Sequence, residues 1–242
     1  MTLRFITFGN KGDHYNKNRK KTENYEKAGK RLLNEVKKIN IFDSCQLYTN
    51  DDLKSNKKFW KKHSKFIMSN QKGFGNYLWK PFLVKKNLEK LKDGDVLLYL
   101  DAGCEMPYEN KEKLNILINN VKTELLISST NYQHEKRRSK RDLIRYLDCE
   151  NEKIIDSPQR QPGAVLYYVC KETHEFVNKW YELCIDKNYH WLDDTPSKIK
   201  NYPEFKGHRH DQSIFSLLSK KYNLFGTSQI DSAVNIVRNR NG

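Results

Sequence analysis

The chain has 242 residues and carries 45 Lys+Arg against 30 Asp+Glu, a formal net charge of +15. That length supports one substantial core, and an aromatic content of 12% calls for one, which excludes a disordered chain. No apolar run exceeds Ala164 to Cys170, far short of a membrane span, and Met1 to Gly9 alternates rather than forming the apolar stretch of a signal peptide.

The first expected element is a strand, Leu3 to Phe8, ended by Gly9-Asn10. After a polar loop, Tyr25, Ala28, Leu32, Val36 and Ile39 recur at helical spacing. Gln46 to Thr49 reads as a short strand. Lys57 to Met68 reads as a helix with Phe59, His63, Phe66 and Ile67 inward and lysines outward. Beyond a break at Gly73-Phe-Gly75, Trp79, Phe82 and Leu83 open a helix that runs through Val84, Leu88 and Leu91. Asp93-Gly94 turns the chain into Asp95 to Asp101, an apolar run suited to a strand covered on both faces. Leu114, Leu117, Ile118 and Val121 mark a helix, and Glu124 to Ser128 and Ala164 to Val169 mark strands. A helix burying Val177, Trp180, Tyr181 and Cys184 follows. The last helix starts near Asp211 and presents Ile214, Leu217, Leu218 and Tyr222. This order predicts an α/β sandwich with a mostly parallel central sheet flanked by helices, in one domain spanning residues 1–242.

The positive surplus points either to acidic partners or to a solvated lysine-rich surface. Five cysteines (45, 104, 149, 170 and 184) are odd in number, contain no CxxC and are widely scattered, which predicts a reducing compartment and no structural zinc. No asparagine opens an N-x-Ser/Thr sequon. The expected location is the cytoplasm, extending to the periphery of a membrane. The run Lys136-Arg-Arg-Ser-Lys-Arg141, an insertion between two strands, is the candidate contact to an anionic acceptor or membrane surface.

Four segments can carry chemistry. Tyr99-Leu-Asp101-Ala-Gly103-Cys-Glu105 sets a carboxylate where a buried strand leaves the sheet, the edge at which open α/β sheets bind ligands. Such a carboxylate needs a partner; a divalent metal holding a diphosphate is one, and a turn-capping role is the alternative. In His208-Arg-His210-Asp211-Gln212-Ser213, either histidine can complete a metal site with Asp101, and Arg209 with the helix N-terminus can bind phosphate. Asp211 is a candidate general base, or else Asp211 or Ser213 caps the helix. Gln159-Arg-Gln161-Pro-Gly163-Ala leads into a strand, so Gly163 suggests close backbone approach and Gln161 a place at the cleft edge, against a plain Pro-Gly turn. In Gly73-Phe-Gly75-Asn-Tyr77-Leu-Trp79-Lys80-Pro81, Tyr77 and Lys80 can meet a base or phosphate, while Trp79 reads as core.

Together, Phe5 to Gly9, Gly75 to Pro81, Asp95 to Glu105, Gln161-Pro-Gly163 and His208 to Ser213 resemble a nucleotide-sugar-dependent glycosyltransferase of the GT-A fold. The likeness is to small enzymes of bacterial and large-virus glycan pathways within the nucleotide-diphospho-sugar transferase superfamily. It implies a GT-A-like, Rossmann-type sandwich that moves a hexosyl or pentosyl group from a nucleoside-diphosphate sugar to a hydroxyl on a glycan, lipid-linked or protein acceptor. Thr7, Gly9 and Asn10 would contact the nucleotide, and Tyr77, Lys80, Gly103 and Arg209 would join them around the donor. Asp101 would be the surviving acid of the family's Asp-x-Asp motif, binding Mn²⁺ or Mg²⁺, with His208 or His210 in support; the second acid is Gly103 here. In the absence of a metal, Lys80 and Arg209 would supply positive charge to the diphosphate. Gln161 and Gly163, with Asp194, would lie near the transferred sugar and acceptor, and Asp211 near the acceptor hydroxyl as the base of an inverting reaction, with Asp156 or Asp194 as substitutes; a retaining reaction needs no dedicated base and would turn on Gln161 or the donor phosphate. A nucleic-acid-binding protein is the first rival; no helix-turn-helix, zinc-finger or RRM signature supports it, so no nucleic acid is expected. The second rival is a sugar-phosphate nucleotidyltransferase, for which Gly9-Asn-Lys-Gly12 is only a faint phosphate loop.

Overall fold

A computed structural model describes residues 1–10 and 24–240. The polar loop after Asn10, including Lys11 and Gly12 of the Gly9-to-Gly12 segment, lies outside the described residues. In chain order the elements are β1 (Leu3–Phe8), α1 (Tyr25–Ile39), β2 (Ser44–Tyr48), α2 (Asn50–Ser55), α3 (Lys57–Ser69), α4 (Gly73–Asn76), α5 (Trp79–Leu88) and β3 (Val96–Leu100). They continue with α6 (Lys111–Glu124), β4 (Leu126–His134), α7 (Glu135–Arg138), α8 (Arg141–Tyr146), α9 (Glu152–Ile155), β5 (Pro158–Tyr168), α10 (Lys171–Tyr189) and α11 (His210–Lys221).

The strands form one sheet in the order β2-β1-β3-β5-β4. β1 pairs in parallel with β2 and β3, while β5 runs antiparallel to both β3 and β4. The sheet is therefore mostly but not wholly parallel. Side chains alternate across it, as the period of two requires. Phe5, Val96, Leu98, Leu100, Ala164 and Leu166 face α1 and α6. Ile6, Phe8, Leu97, Tyr99, Val165 and Tyr167 face the layer built from α3, α5, α10 and α11. Among the described residues, no helix is long and apolar enough to cross a membrane.

β4 and β5 extend beyond their apolar stretches. The additions, Ser129 to His134 and Pro158 to Gly163, are mostly polar; Ser129, Gln133, Gln159 and Arg160 are nonetheless buried, and the pairing is interrupted by register shifts. Gln161-Pro162-Gly163 thus lies inside β5 and is not a reverse turn. Buried Glu135 ties this extension to α11: its carboxylate accepts from Ser139, Gln159, Ser216 and Lys220. The expected inner faces of α3, α10 and α11 hold, except that Phe66 and Tyr181 are only half-buried and Tyr222 is exposed.

Candidate active site

Because β1 and β3 are parallel neighbours, Phe8 to Asn10 and Asp101 to Cys104 emerge at the same sheet edge. There they meet the α4–α5 turn, the β4–β5 extension, the start of α11 and the tail at 236–240 around a cleft of about 1260 Å³. α5 opens with Trp79-Lys80-Pro81, and Pro81 is tolerated because the first turn has no intrahelical acceptor for its missing N–H. Trp79 stacks on Phe8 with ring centroids 3.9 Å apart and donates its indole N–H to Gly73 O at 2.9 Å. This clamp sends Lys80 inward.

The Lys80 side chain is 4% exposed, and its Nζ lies 3.1 Å from Asp101 Oδ1 and 3.4 Å from Asp211 Oδ2. Three rings surround the ammonium, those of Tyr77, Tyr99 and Trp79, at 5.4, 5.5 and 5.8 Å. Tyr99 donates its hydroxyl to Asp101 Oδ1 at 2.5 Å. The Asp101 N–H donates to Gly163 O at 2.6 Å. A Cβ on Gly163 would lie 2.7 Å from Asp101 Oδ2, so the group that needs this glycine is the Asp101 carboxylate.

Burial alone would lower the Lys80 pKa, but Asp101 and Asp211 outweigh it, and the ammonium is held charged. Burial raises the Asp211 carboxyl to about 7, with Lys80 offsetting only part of the effect and Asp101 adding to it. Burial, and then Asp101, push the Tyr99 phenol up, so it remains a neutral donor. The two carboxyls differ in surroundings: Asp211 is buried, whereas the Asp101 side chain is 45% exposed to the cleft.

The histidines are occupied elsewhere. His208 Nδ1 accepts from the Lys140 N–H at 3.3 Å and its Nε2–H donates to Trp191 O at 2.8 Å; burial, then Lys140, depress its pKa. It anchors the segment before α11 and has no lone pair left for a metal. His210 donates Nδ1–H to Leu192 O at 2.8 Å, leaving the Nε2 lone pair buried without a hydrogen-bond partner, 3.8 Å from Asp194 Oδ1. Among the described residues, no group of three or more His, Cys, Asp or Glu side chains assembles for a metal ion. The Asp101 oxygens already face an ammonium and a hydroxyl. His208 therefore drops out of the expected Mn²⁺ or Mg²⁺ centre, and among the described residues no third acidic or imidazole ligand joins Asp101 and His210.

Other expected residues divide clearly. Asn10, Tyr77, Lys80, Asp101, Gly103, Gln161, Gly163, Asp194, Arg209 and Asp211 all line the cleft. Asn10 presents a buried Oδ1 with no hydrogen-bond partner among the described residues, and Gln161 donates to Thr130 O. Thr7 is buried, its hydroxyl unpartnered among the described residues, and it is not among the cleft-lining residues. Gly9 is a packing glycine: a Cβ there would come within 2.6 Å of Tyr25 O at the start of α1. Lys80 does not offer free positive charge to a diphosphate, because two carboxylates already neutralise it. Asp156 is tied to Lys136 at 2.5 Å and stands outside the cleft. Arg209, not Asp211 or Ser213, is the N-cap residue of α11; the Ser213 hydroxyl accepts the Arg209 N–H at 3.1 Å.

The Lys136-to-Arg141 run is not one surface patch. Lys136 pairs with Asp156 and Glu204, Lys140 is buried against Asp193, and Arg141 pairs with Glu150. Arg138 alone of this run lines the cleft. Sequence reasoning missed Tyr99, Arg138 and Arg238 as cleft-region groups. Tyr99 was detectable in principle: two residues before Asp101 on a strand, it faces the same side. Arg238 arrives only through tertiary folding of the tail.

No protein-family model and no curated protein matches the chain. Among solved structures, apo mouse xyloside xylosyltransferase 1 superposes with a TM-score of 0.49 at 14% identity, over 95% of this chain and 86% of that one. A glycosyltransferase involved in glycosylation of the PBCV-1 major capsid gives 0.42 at 11% identity, over 77% and 68%. Each of these two is a glycosyltransferase. No residue role is carried over from either.

Proposed function

We propose that the chain is a glycosyltransferase that moves a sugar from a nucleoside-diphosphate sugar to an acceptor hydroxyl without a resident divalent metal. The observation that carries this reading is the buried Lys80 ammonium between two cleft carboxyls, one of which, Asp211, is held near neutrality. A general base works best when its pKa lies near the working pH. Asp211 takes the proton of the acceptor hydroxyl as that oxygen attacks the anomeric carbon. The bond to the diphosphate breaks on the opposite side, and its electron pair leaves with the nucleoside diphosphate. The outcome is a single displacement with inversion.

Lys80 keeps Asp211 from being stranded as an unpaired buried charge, a cost of about 3–5 kcal/mol when a partner is removed. Tyr99 and Gly163 fix the Asp101 carboxylate, whose exposed face accepts hydrogen bonds from sugar hydroxyls. The His210 Nε2 and Asn10 Oδ1 atoms, both without hydrogen-bond partners among the described residues, supply further acceptors for hydroxyl or base contacts. The sequence resemblance supplies the donor class, and the cleft at the carboxyl edge of parallel strands suits it. Thermal denaturation against UDP-, GDP- and dTDP-sugars tests the reading, since a ligand bound by the native state alone raises the midpoint. At least one sugar nucleotide should raise it in chelator-treated buffer; no response to any of them counts against the donor class.

A further inference from the structure

The charge around the cleft is unevenly distributed. On its floor, one ammonium faces two carboxyl groups, so the Lys80–Asp101–Asp211 cluster is neutral with Asp211 protonated and negative with it ionised. A diphosphate is repelled there or, at best, not attracted. The opposite charge lies elsewhere in the same cleft, on Lys72, Arg138, Lys206, Arg209, Arg238 and Arg240. Three of these come from distant segments: Arg138 ends α7, Arg209 caps α11 and Arg238 lies in the tail. None of the three has a carboxylate partner among the described residues; Arg138 Nε donates to Gln133 Oε1. Burial, then Arg138, and Arg238 all depress the Arg209 pKa, as expected of guanidiniums gathered without an anion.

The tail is held over this site by specific bonds. Glu105 and Asn235 exchange two backbone hydrogen bonds of 3.0 Å, Asn239 N–H donates to Gly103 O at 3.1 Å, and Asn239 Nδ2 donates to Glu105 Oε1 at 2.8 Å. A Cβ on Gly103 would face Val237 O at 3.3 Å and Arg238 Cα at 3.6 Å. The position that would hold the second acid of an Asp-x-Asp motif is therefore the seat of an arginine-bearing strap.

We propose that Arg138, Arg209 and Arg238 form a diphosphate-binding site that holds the donor's leaving group, with the tail docked on Gly103 in place of a metal-binding acid. This rests on the donor reading above. Guanidiniums suit the task because their planar forks pair with phosphate oxygens in bidentate fashion.

The test is calorimetric titration of the full chain, in chelator, with UDP, GDP and inorganic pyrophosphate. Hydrogen bonds to charged groups contribute about 1.5–3 kcal/mol, so Arg209→Gln and Arg238→Gln should each weaken pyrophosphate binding about 10- to 100-fold. Arg238→Lys should recover part of the loss, and Lys61→Gln on α3, which removes one exposed charge far along the chain, should leave binding unchanged. At least one nucleoside diphosphate should bind more tightly than pyrophosphate and lose the same factor in the arginine variants. Equal weakening by Lys61→Gln, or unaltered binding in the arginine variants, overturns the site while leaving the donor reading intact if sugar nucleotides are still consumed. Arginine-dependent pyrophosphate binding with no gain from any nucleoside overturns the assignment to the donor and moves the site to a diphosphate on the acceptor.

Discussion

Asp211→Asn is the most informative single substitution, because one buried carboxyl governs both stability and turnover. Its pKa of about 7 stands against an ordinary 3.8, a difference equivalent to about 4 kcal/mol. Between about pH 4 and pH 7 the folded protein keeps this proton and the unfolded chain does not. The raised pKa therefore contributes stability that is complete below about pH 4 and is lost as pH rises through about 7. Other carboxyls work in the opposite sense: Glu150, lowered to about 2 by its Arg141 hydrogen bond, loses its contribution in acid. Subtracting the variant from the wild type isolates Asp211. Urea unfolding at half-unit pH steps should show the wild type losing up to about 4 kcal/mol relative to Asp211→Asn between about pH 4 and pH 8, while transfer falls about 10²–10⁴-fold in the variant. Parallel stability curves would refute the buried-carboxyl argument. A variant with near-normal turnover would refute the assignment of the base.

Three further substitutions probe the supports of the site. Tyr99→Phe removes the only hydroxyl bonded to Asp101 Oδ1 among the described residues and should cost about 1.5–3 kcal/mol in chemical denaturation, with a matching drop in kcat. Gly163→Ala puts a methyl 2.7 Å from Asp101 Oδ2; displacing the carboxylate should cut transfer at least about tenfold, while circular dichroism reports an intact sheet. His208→Ala leaves the Lys140 N–H and Trp191 O without their shared partner and should cost about 1–3 kcal/mol for each group in the melting curve. A chelator should have the same effect on wild type and His208→Ala; a wild-type-only loss would return His208 to metal binding.

The sheet was legible where strands are apolar and unreadable where they are not. Val96 to Leu100 and Ala164 to Tyr168 declare themselves by composition, but Ser129 to His134 and Pro158 to Gly163 carry polar side chains, some buried and hydrogen-bonded, as Gln159 is to Glu135, and others, Thr130 to Tyr132 and Gln161 to Gly163, lining the cleft. Asp101 and Gly163 were each visible as local anomalies, a charge at a strand end and a glycine entering a strand; their contact across β3 and β5 is a matter of register. The histidines misled because ligand-like spacing is the same whether ring nitrogens meet a metal or backbone groups. Lys80 was recognised as a cation but not as a neutralised one, since Asp101 and Asp211 reach it from 21 and 131 residues along the chain. Net charge carried the least information: the basic run at 136–141 disperses into separate ion pairs, and only Arg138 of that run reaches the cleft.

The central claim is transfer chemistry at the Asp211 site without a divalent metal. Its most direct test incubates the chelator-treated protein with each nucleoside-diphosphate sugar in turn and measures release of the nucleoside diphosphate, to water or to an added hydroxyl acceptor. The expected result is release from at least one sugar nucleotide, unchanged by added Mn²⁺ and abolished by Asp211→Asn. Release that appears only with Mn²⁺, or that survives the substitution, contradicts the account.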